Sequence, residues 1–140
     1  MQARMWANEY RTTVVCIDRY DKRVPEGRFY NPHCPEGVRF YGVMDLLAKL
    51  EQMLNQMRFP ATFSMVRTFA DVPVMEAETA GGTESHEGEV ATLAVRVLFR
   101  QNASWQGSMT WFEGQREESF RSVLEFLFLL DSAAAGEVLR

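Results

Sequence analysis

Two stretches of the chain, 80 positions apart, carry the same order of local signals: strand, turn, strand with an early glycine, aromatic, helix cap and helix with one apolar stripe. Sliding one onto the other without a gap sets Val15 and Ile17 on Val95 and Val97, Gly27 on Gly107, Phe40 on Phe120 and Gly42 on Ser122. Val43, Asp45, Leu47 and Leu50 then fall on Val123, Glu125, Leu127 and Leu130. Few letters are identical, so the weight rests on the shared order. A duplicated ββ(β)α unit is the expectation. The fold class that follows is α+β: one or two antiparallel sheets of about five to seven strands, with two helices packed on them about a pseudo-two-fold. Any two hairpins followed by helices share part of this order, so two unrelated hairpin–helix pairs stay open as the alternative.

In the first stretch, Tyr10–Tyr20 is rich in β-branched residues and runs into the turn Asp21-Lys22-Arg23, which predicts a strand. Gly27–Asn31 is its partner, cut short by Pro25 and Pro32, and Pro32–Gly37 reads as a loop because two prolines and a glycine deny it regular pairing. Val43, Leu46, Leu47, Leu50, Leu54 and Met57 then recur at helical spacing, with Gly42 as cap and Pro60 as stop. Thr62–Phe69 alternates as a further strand. Residues 70–89 contain Asp71, Glu76, Glu78, Glu84, Glu87 and Glu89 with no Lys or Arg, and read as a mobile acidic loop joining the halves, about 10–58 and 90–135.

The second half reads more sharply. Leu93, Val95, Val97 and Phe99 share one strand face, with Thr92, Arg96 and Arg100 on the solvent side. A turn at 101–104 leads to a strand over Trp105–Phe112, a hairpin at Gly114 and a short strand over Glu118–Phe120. Ser122 and Glu125 have capping-box spacing, and the helix VLEFLFLLDSAAA follows.

At 140 residues and 46% hydrophobic content, the chain is sized for a single domain with a real core. No stretch approaches the roughly 18 apolar residues that a membrane span needs, and the first residues show no apolar run of a signal peptide. A net charge of −4 argues against a duplex-DNA binder. Two cysteines without a CxxC pair suit a reducing cytoplasm, which is the expected location.

The segment WQGSMTWFEGQREESFRSVLEFLFLLDSA resembles a hairpin-plus-helix pattern of small uncharacterised bacterial proteins, in which a W-x-G strand, a turn and an F-R-S-x-x-E-L-L helix succeed one another. GRFYNPHCPEGVRFYGVMDLLAKLEQML is similar to the first half of such proteins from Gram-positive anaerobes. The resemblance covers most of the chain outside the acidic loop. It implies no activity and carries over no functional residue.

Candidate chemistry is sparse. Cys16, His33, Cys34 and His86 lack the spacing of a metal site, so no metal is expected. No nucleophile elbow, phosphate-cradling loop or dinucleotide fingerprint occurs, so no catalytic residue and no cofactor are assigned. If the chain is a small enzyme with a pocket between its halves, Asp18, Tyr30 and His33 are its candidate polar residues. Arg96, Phe99, Arg100, Trp105, Trp111 and Arg121 interleave as a single-stranded nucleic-acid surface would. Trp105, Met109 and Trp111 share the face a helix must cover, however, so that reading ranks last.

The terminal helix is the most unusual element. Leu124, Phe128 and Leu129 stand where the first helix has Met44, Ala48 and Lys49, so it is apolar nearly all round. Such a helix must be covered on both sides, by Trp6, Phe59 or Met65 of its own chain or by a second copy meeting it at Leu124, Phe128 and Leu129. The leading expectation is a non-catalytic cytoplasmic module that binds a protein partner or a small ligand and works as a homo-oligomer, with no role at a membrane.

Overall fold

The computed structural model describes residues 12–57, 86–101 and 104–136. They form strands β1 (Thr12–Asp21), β2 (Val24–Asn31) and β3 (Cys34–Tyr41), helix α1 (Val43–Met57), strands β4 (Ala91–Gln101), β5 (Ser104–Trp111) and β6 (Arg116–Phe120), and helix α2 (Val123–Ala134). The six strands make one antiparallel sheet in the order β3-β2-β1-β4-β5-β6. The antiparallel α+β expectation holds. The strand expected over Thr62–Phe69 and most of the acidic loop lie outside the described residues, as do Trp6, Phe59 and Met65.

One face of the sheet carries the core. Val15, Ile17, Phe29, Val38 and Phe40 from the first three strands, and Leu93, Val95, Val97, Met109 and Phe120 from the last three, pack in one cluster with Leu46, Leu50, Met53 and Leu54 of α1 and Phe126 and Leu130 of α2. These helix positions are three and four apart, so each helix turns a single stripe to the sheet. Phe126 stands edge-on to both Trp105 and Phe120, at 5.4 and 5.5 Å between ring centres.

Gly27 and Gly107 have a common reason to be glycine. Each sits beside a bulge, between Ile17 and Arg19 or between Val97 and Phe99. A Cβ on either would collide with the backbone carbonyl of the neighbouring strand, at Cys16 or Arg96. Phe40 and Phe120 are the cross-strand neighbours of these glycines and supply the apolar cover the missing side chain cannot. The helix starts match as well: Leu46 N–H donates to Gly42 O and Phe126 N–H to Ser122 O, both at 3.0 Å. Asp45 accepts from Tyr41 N–H at 2.9 Å and Glu125 from Arg121 N–H at 2.8 Å. The capping box is thus offset, since Ser122 Oγ accepts from Glu125 N–H while the Glu125 carboxylate reaches the residue before the cap.

Three expectations change. The Pro32–Gly37 loop is a two-residue turn followed by β3, because β3 is an edge strand and leaves Pro35 and Gly37 free of the ladder on one side. Strand β2 begins before Pro25, since β3 pairs back only as far as Glu26 and the Pro25 carbonyl accepts from Gly42 N–H at 2.7 Å instead. Arg100 is not on the solvent side. The bulge between Val97 and Phe99 advances the alternation by one residue, so Arg100 turns inward at 1% exposure and Phe99 outward at 60%.

The inward turn ties each half to the other. Arg100 at the end of β4 donates to Glu51 and Asn55 of α1 at 3.1 and 2.7 Å, and Trp105 Nε1 reaches the other Glu51 oxygen at 2.9 Å. Tyr20 at the end of β1 donates its hydroxyl to Asp131 of α2. Tyr20 and Arg100 are 80 positions apart, and so are Glu51 and Asp131. Arg23 joins the second tie at 3.6 Å from Asp131, from a turn in which Lys22 and Arg23 both adopt left-handed backbone at φ 53° and 62°.

Burial, and then the hydrogen bond and charge of Asp131, push the Tyr20 hydroxyl up to about 12, against a smaller lowering by Arg23. A folded-state value above the unfolded value of about 10 means stability fully present below pH 10 and lost as pH rises through 12. Tyr20→Phe is expected to cost about 1 kcal/mol at neutral pH and to flatten the fall in stability between about pH 10 and 12. Urea unfolding at a series of pH values reads both, and an unchanged alkaline slope would remove Tyr20 from the tie.

Candidate functional site

The sheet face opposite the one that α1 and α2 cover holds a buried polar cluster around Arg28. The period-2 alternation of β2 puts Arg28 and Tyr30 on that face, and β1 pairing brings Cys16 beside Arg28. Arg28 is 5% exposed. Its Nε donates to Tyr30 Oη at 2.8 Å, its Nη1 to Asp18, and its Nη2 to Glu87 O at 3.0 Å. Burial acts to lower the guanidinium's pKa, and the hydrogen bonds it donates to Asp18 and Tyr30 more than offset that, holding it above its ordinary value. The second Asp18 oxygen accepts from Glu89 N–H at 3.1 Å, and His86 stacks on Tyr30 at 3.9 Å between ring centres.

Of the three residues expected to converge, Asp18 and Tyr30 do so through Arg28, and His33 does not. His33 is exposed in the β2–β3 turn, its backbone N–H on Asn31 Oδ1 at 2.8 Å and its ring 3.4 Å from Gln56 of α1. The histidine against Tyr30 is His86. Arg28, which organises the group, carried one usable signal in the sequence: it shares a strand face with Tyr30 in a run that is otherwise β-forming.

The cluster works as a clamp. Beyond the Glu87 and Glu89 bonds, Gly88 N–H donates to Thr92 Oγ1 at 2.9 Å and Val90 N–H to Ile17 O at 2.7 Å. A Cβ at Gly88 would meet the backbone of Ile17 and Ala91. The last residues of the segment expected to be a mobile loop are therefore pinned to β1. Both carboxylate oxygens of Asp18 are engaged, which is the arrangement of a structural pair rather than of a proton carrier. Among the described residues no group of three His, Cys, Asp or Glu side chains is placed to share a metal. Burial pushes the Cys34 thiol up to about 11, with Glu36 adding to the rise and Asn31 opposing it. Its sulfur lies 3.4 Å from that of Met53, so it is a packing group rather than a nucleophile at neutral pH.

The aromatic–arginine set divides between environments. Trp105 and Arg100 are buried under α1, and Trp111 packs against the core. Arg96 and Phe99 are exposed, and Arg121 pairs with Glu125 at 2.9 Å. The hydrogen bond from Arg121 holds the Glu125 carboxyl below its usual range. No continuous stacking platform results among these residues.

Helix α2 presents a different surface. Leu124 and Phe128, one turn apart, are 59% and 63% exposed. Leu129 is partly buried against the core. The position equivalent to Leu124 in α1, Met44, is also exposed, whereas Ala48 replaces Phe128 with little surface. On the flank of α2 that carries Leu129, a cleft of about 50 Å³ opens toward β5 and β6, lined by Met109, Trp111, Arg116, Glu118, Leu129 and Ala133 among others. Trp111 Nε1 is buried without a hydrogen-bond partner among the described residues, a state that costs about 1–3 kcal/mol.

No family model, curated protein or solved structure matches the chain.

Arg28→Met tests the clamp. Removing the cation leaves the Asp18 carboxylate with the Glu89 N–H but no counter-charge and takes the donor from the Tyr30 hydroxyl. Because the Asp18 side chain is 28% exposed, the loss should be about 2–3 kcal/mol rather than the larger figure for a fully buried pair. Amide exchange at Gly88, Glu89 and Val90 should accelerate well beyond that in β5 and β6. Unchanged protection at these three amides would show that something other than Arg28 holds the segment.

Proposed function

We propose that the protein is a non-catalytic cytoplasmic interaction module, built from two copies of one βββα unit, that works as a homodimer through the outer face of α2. The observation that carries this is the exposure of Leu124 and Phe128 on a helix whose opposite side, Phe126, Leu130, Ala133 and Ala134, is buried. Large apolar side chains grouped on one helix face mark a contact surface.

Duplication is supported by the paired features 80 residues apart: two glycines beside two bulges, two aromatics across from them, two matching helix starts and two ties from strand end to opposite helix. The halves differ at the outer helix face, where Ala48 in one corresponds to the exposed Phe128 in the other. An isologous contact of α2 with its own copy gives a closed dimer instead of a chain of subunits. A second copy of α2 laid antiparallel would set Leu124 and Phe128 of each helix against the same pair of the other.

Burying a Leu or Phe side chain contributes about 1.5–3 kcal/mol. Both are already partly covered, so two per subunit hold a modest dimer rather than an obligate one. The cytoplasmic placement is supported by Cys16 and Cys34, which are both free thiols. The runner-up, an enzyme using Asp18, Tyr30 and His33, has less support because Asp18 and Tyr30 are spent on Arg28 and His33 stands apart.

Phe128→Glu separates the dimer from an intramolecular cover. A glutamate on an exposed face leaves the core untouched, so a dimeric protein should yield a folded species of half the mass by light scattering, with the wild-type circular dichroism spectrum. An unfolded or aggregated Phe128→Glu protein would mean that this side chain is needed within its own chain.

A further inference from the structure

We infer that Cys34 and Met53, with His33 beside them, bind one soft monovalent metal ion of the copper(I) or silver(I) class where the β2–β3 turn meets the last turns of α1. The site belongs to the first half of the molecule and is separate from the outer face of α2.

Two sulfurs meet there. Cys34 Sγ lies 3.4 Å from Met53 Sδ. Cys34 begins the edge strand β3 and is partly exposed, whereas Met53 is 5% exposed and belongs to the core cluster. A thiolate and a thioether together are the donors that soft ions select, while calcium, magnesium and manganese take oxygen. Zinc draws its ligands from thiolate, imidazole and carboxylate.

Bond lengths set the coordination. With metal–sulfur bonds of about 2.3 Å, a linear two-coordinate ion would need its sulfurs about 4.6 Å apart. At 3.4 Å the two sulfurs subtend about 95° at the ion, which suits neighbouring ligands in a site of three or four. His33 supplies the third donor. It is exposed and immediately precedes Cys34, and its ring has one polar contact among the described residues, 3.4 Å from Gln56, a turn beyond Met53 on α1. Its backbone N–H on Asn31 fixes the turn and leaves the ring free to swing.

The second half shows that the fold does not require these side chains. Eighty positions after His33, Cys34 and Met53 stand Glu113, Gly114 and Ala133. All three donors are confined to one copy. Spacing among cysteines and histidines does not reveal the set, because one ligand is a thioether on a helix, 19 residues from Cys34.

Binding exchanges a proton for the ion. The Cys34 S–H bond breaks, the sulfur bonds the ion and the proton leaves to solvent, so the net charge is unchanged. Met53 bonds through a sulfur lone pair and releases nothing. Burial pushes the Cys34 thiol up to about 11, so affinity should rise with pH across the neutral range.

Titration of the reduced protein with copper(I) under argon, against a chromophoric copper(I) chelator, tests the site. One equivalent should bind, with a thiolate-to-copper absorption band in the ultraviolet. Cys34→Ser, which retains the buried Cys16, should abolish the tight equivalent. Met53→Leu conserves volume, and both it and His33→Gln should weaken binding at least about tenfold, the lower end of what losing a mere supporting group costs a metal site. Should Met53→Leu fail to fold, X-ray absorption at the copper edge of selenomethionine-labelled protein reads the same bond, with selenium expected among the atoms bonded to copper. Wild-type affinity in Met53→Leu or His33→Gln, copper without a selenium neighbour, or a tight equivalent retained by Cys34→Ser would each overturn the site.

Discussion

The guanidinium of Arg100 is the group around which the helix side of the sheet is arranged. A cation at 1% exposure is tolerable only with its donors satisfied, and Glu51 and Asn55 of α1 do this while Glu51 also takes the Trp105 N–H. The two acceptors belong to the first half and the two donors to the second. The tie at Arg100 therefore spans the two halves. Tyr20 and Asp131 make the corresponding, milder connection in the other direction. The sheet pairing of β1 with β4 joins the halves by backbone, and these two side-chain ties fix how the helices sit over the join.

Both ties depend on the bulges. A regular β4 would send Arg100 to solvent and Phe99 into the core, the arrangement that simple alternation along the strand implies. The extra residue between Val97 and Phe99 reverses this, and Gly107 is the partner that allows the strands to approach so closely. One backbone irregularity thus decides which of two neighbouring side chains becomes structural and which is left on the surface.

Much of the architecture was legible from residue order. The correspondence of Gly27 with Gly107, Phe40 with Phe120 and Gly42 with Ser122 located the strand–strand–helix units and the helix stripes, because glycine, aromatic and cap positions answer to local backbone geometry. The bulges were not legible, since nothing in Val97-Leu98-Phe99-Arg100 marks where alternation slips. Strand β3 was hidden by Pro35 and Gly37, which are excluded from a central strand and tolerated at an edge; whether a strand is at an edge is a property of the whole sheet. The polar cluster was half visible. Asp18 and Tyr30 were recognisable candidates, but Arg28, separated from Asp18 by ten residues, and His86, more distant still, meet them only through the pairing of β1 with β2 and the path of residues 86–90 along β1.

The surface that remains is unequal between the halves. The first half spends its polar residues on clamping residues 86–90, whereas the second turns Leu124 and Phe128 outward. Self-association through that helix is the central functional claim, and sedimentation equilibrium of the unaltered protein over a range of micromolar concentrations tests it most directly. The account predicts a mass that rises with concentration toward twice the 16.1 kDa of one chain. A single species at the mass of one chain throughout that range would contradict it.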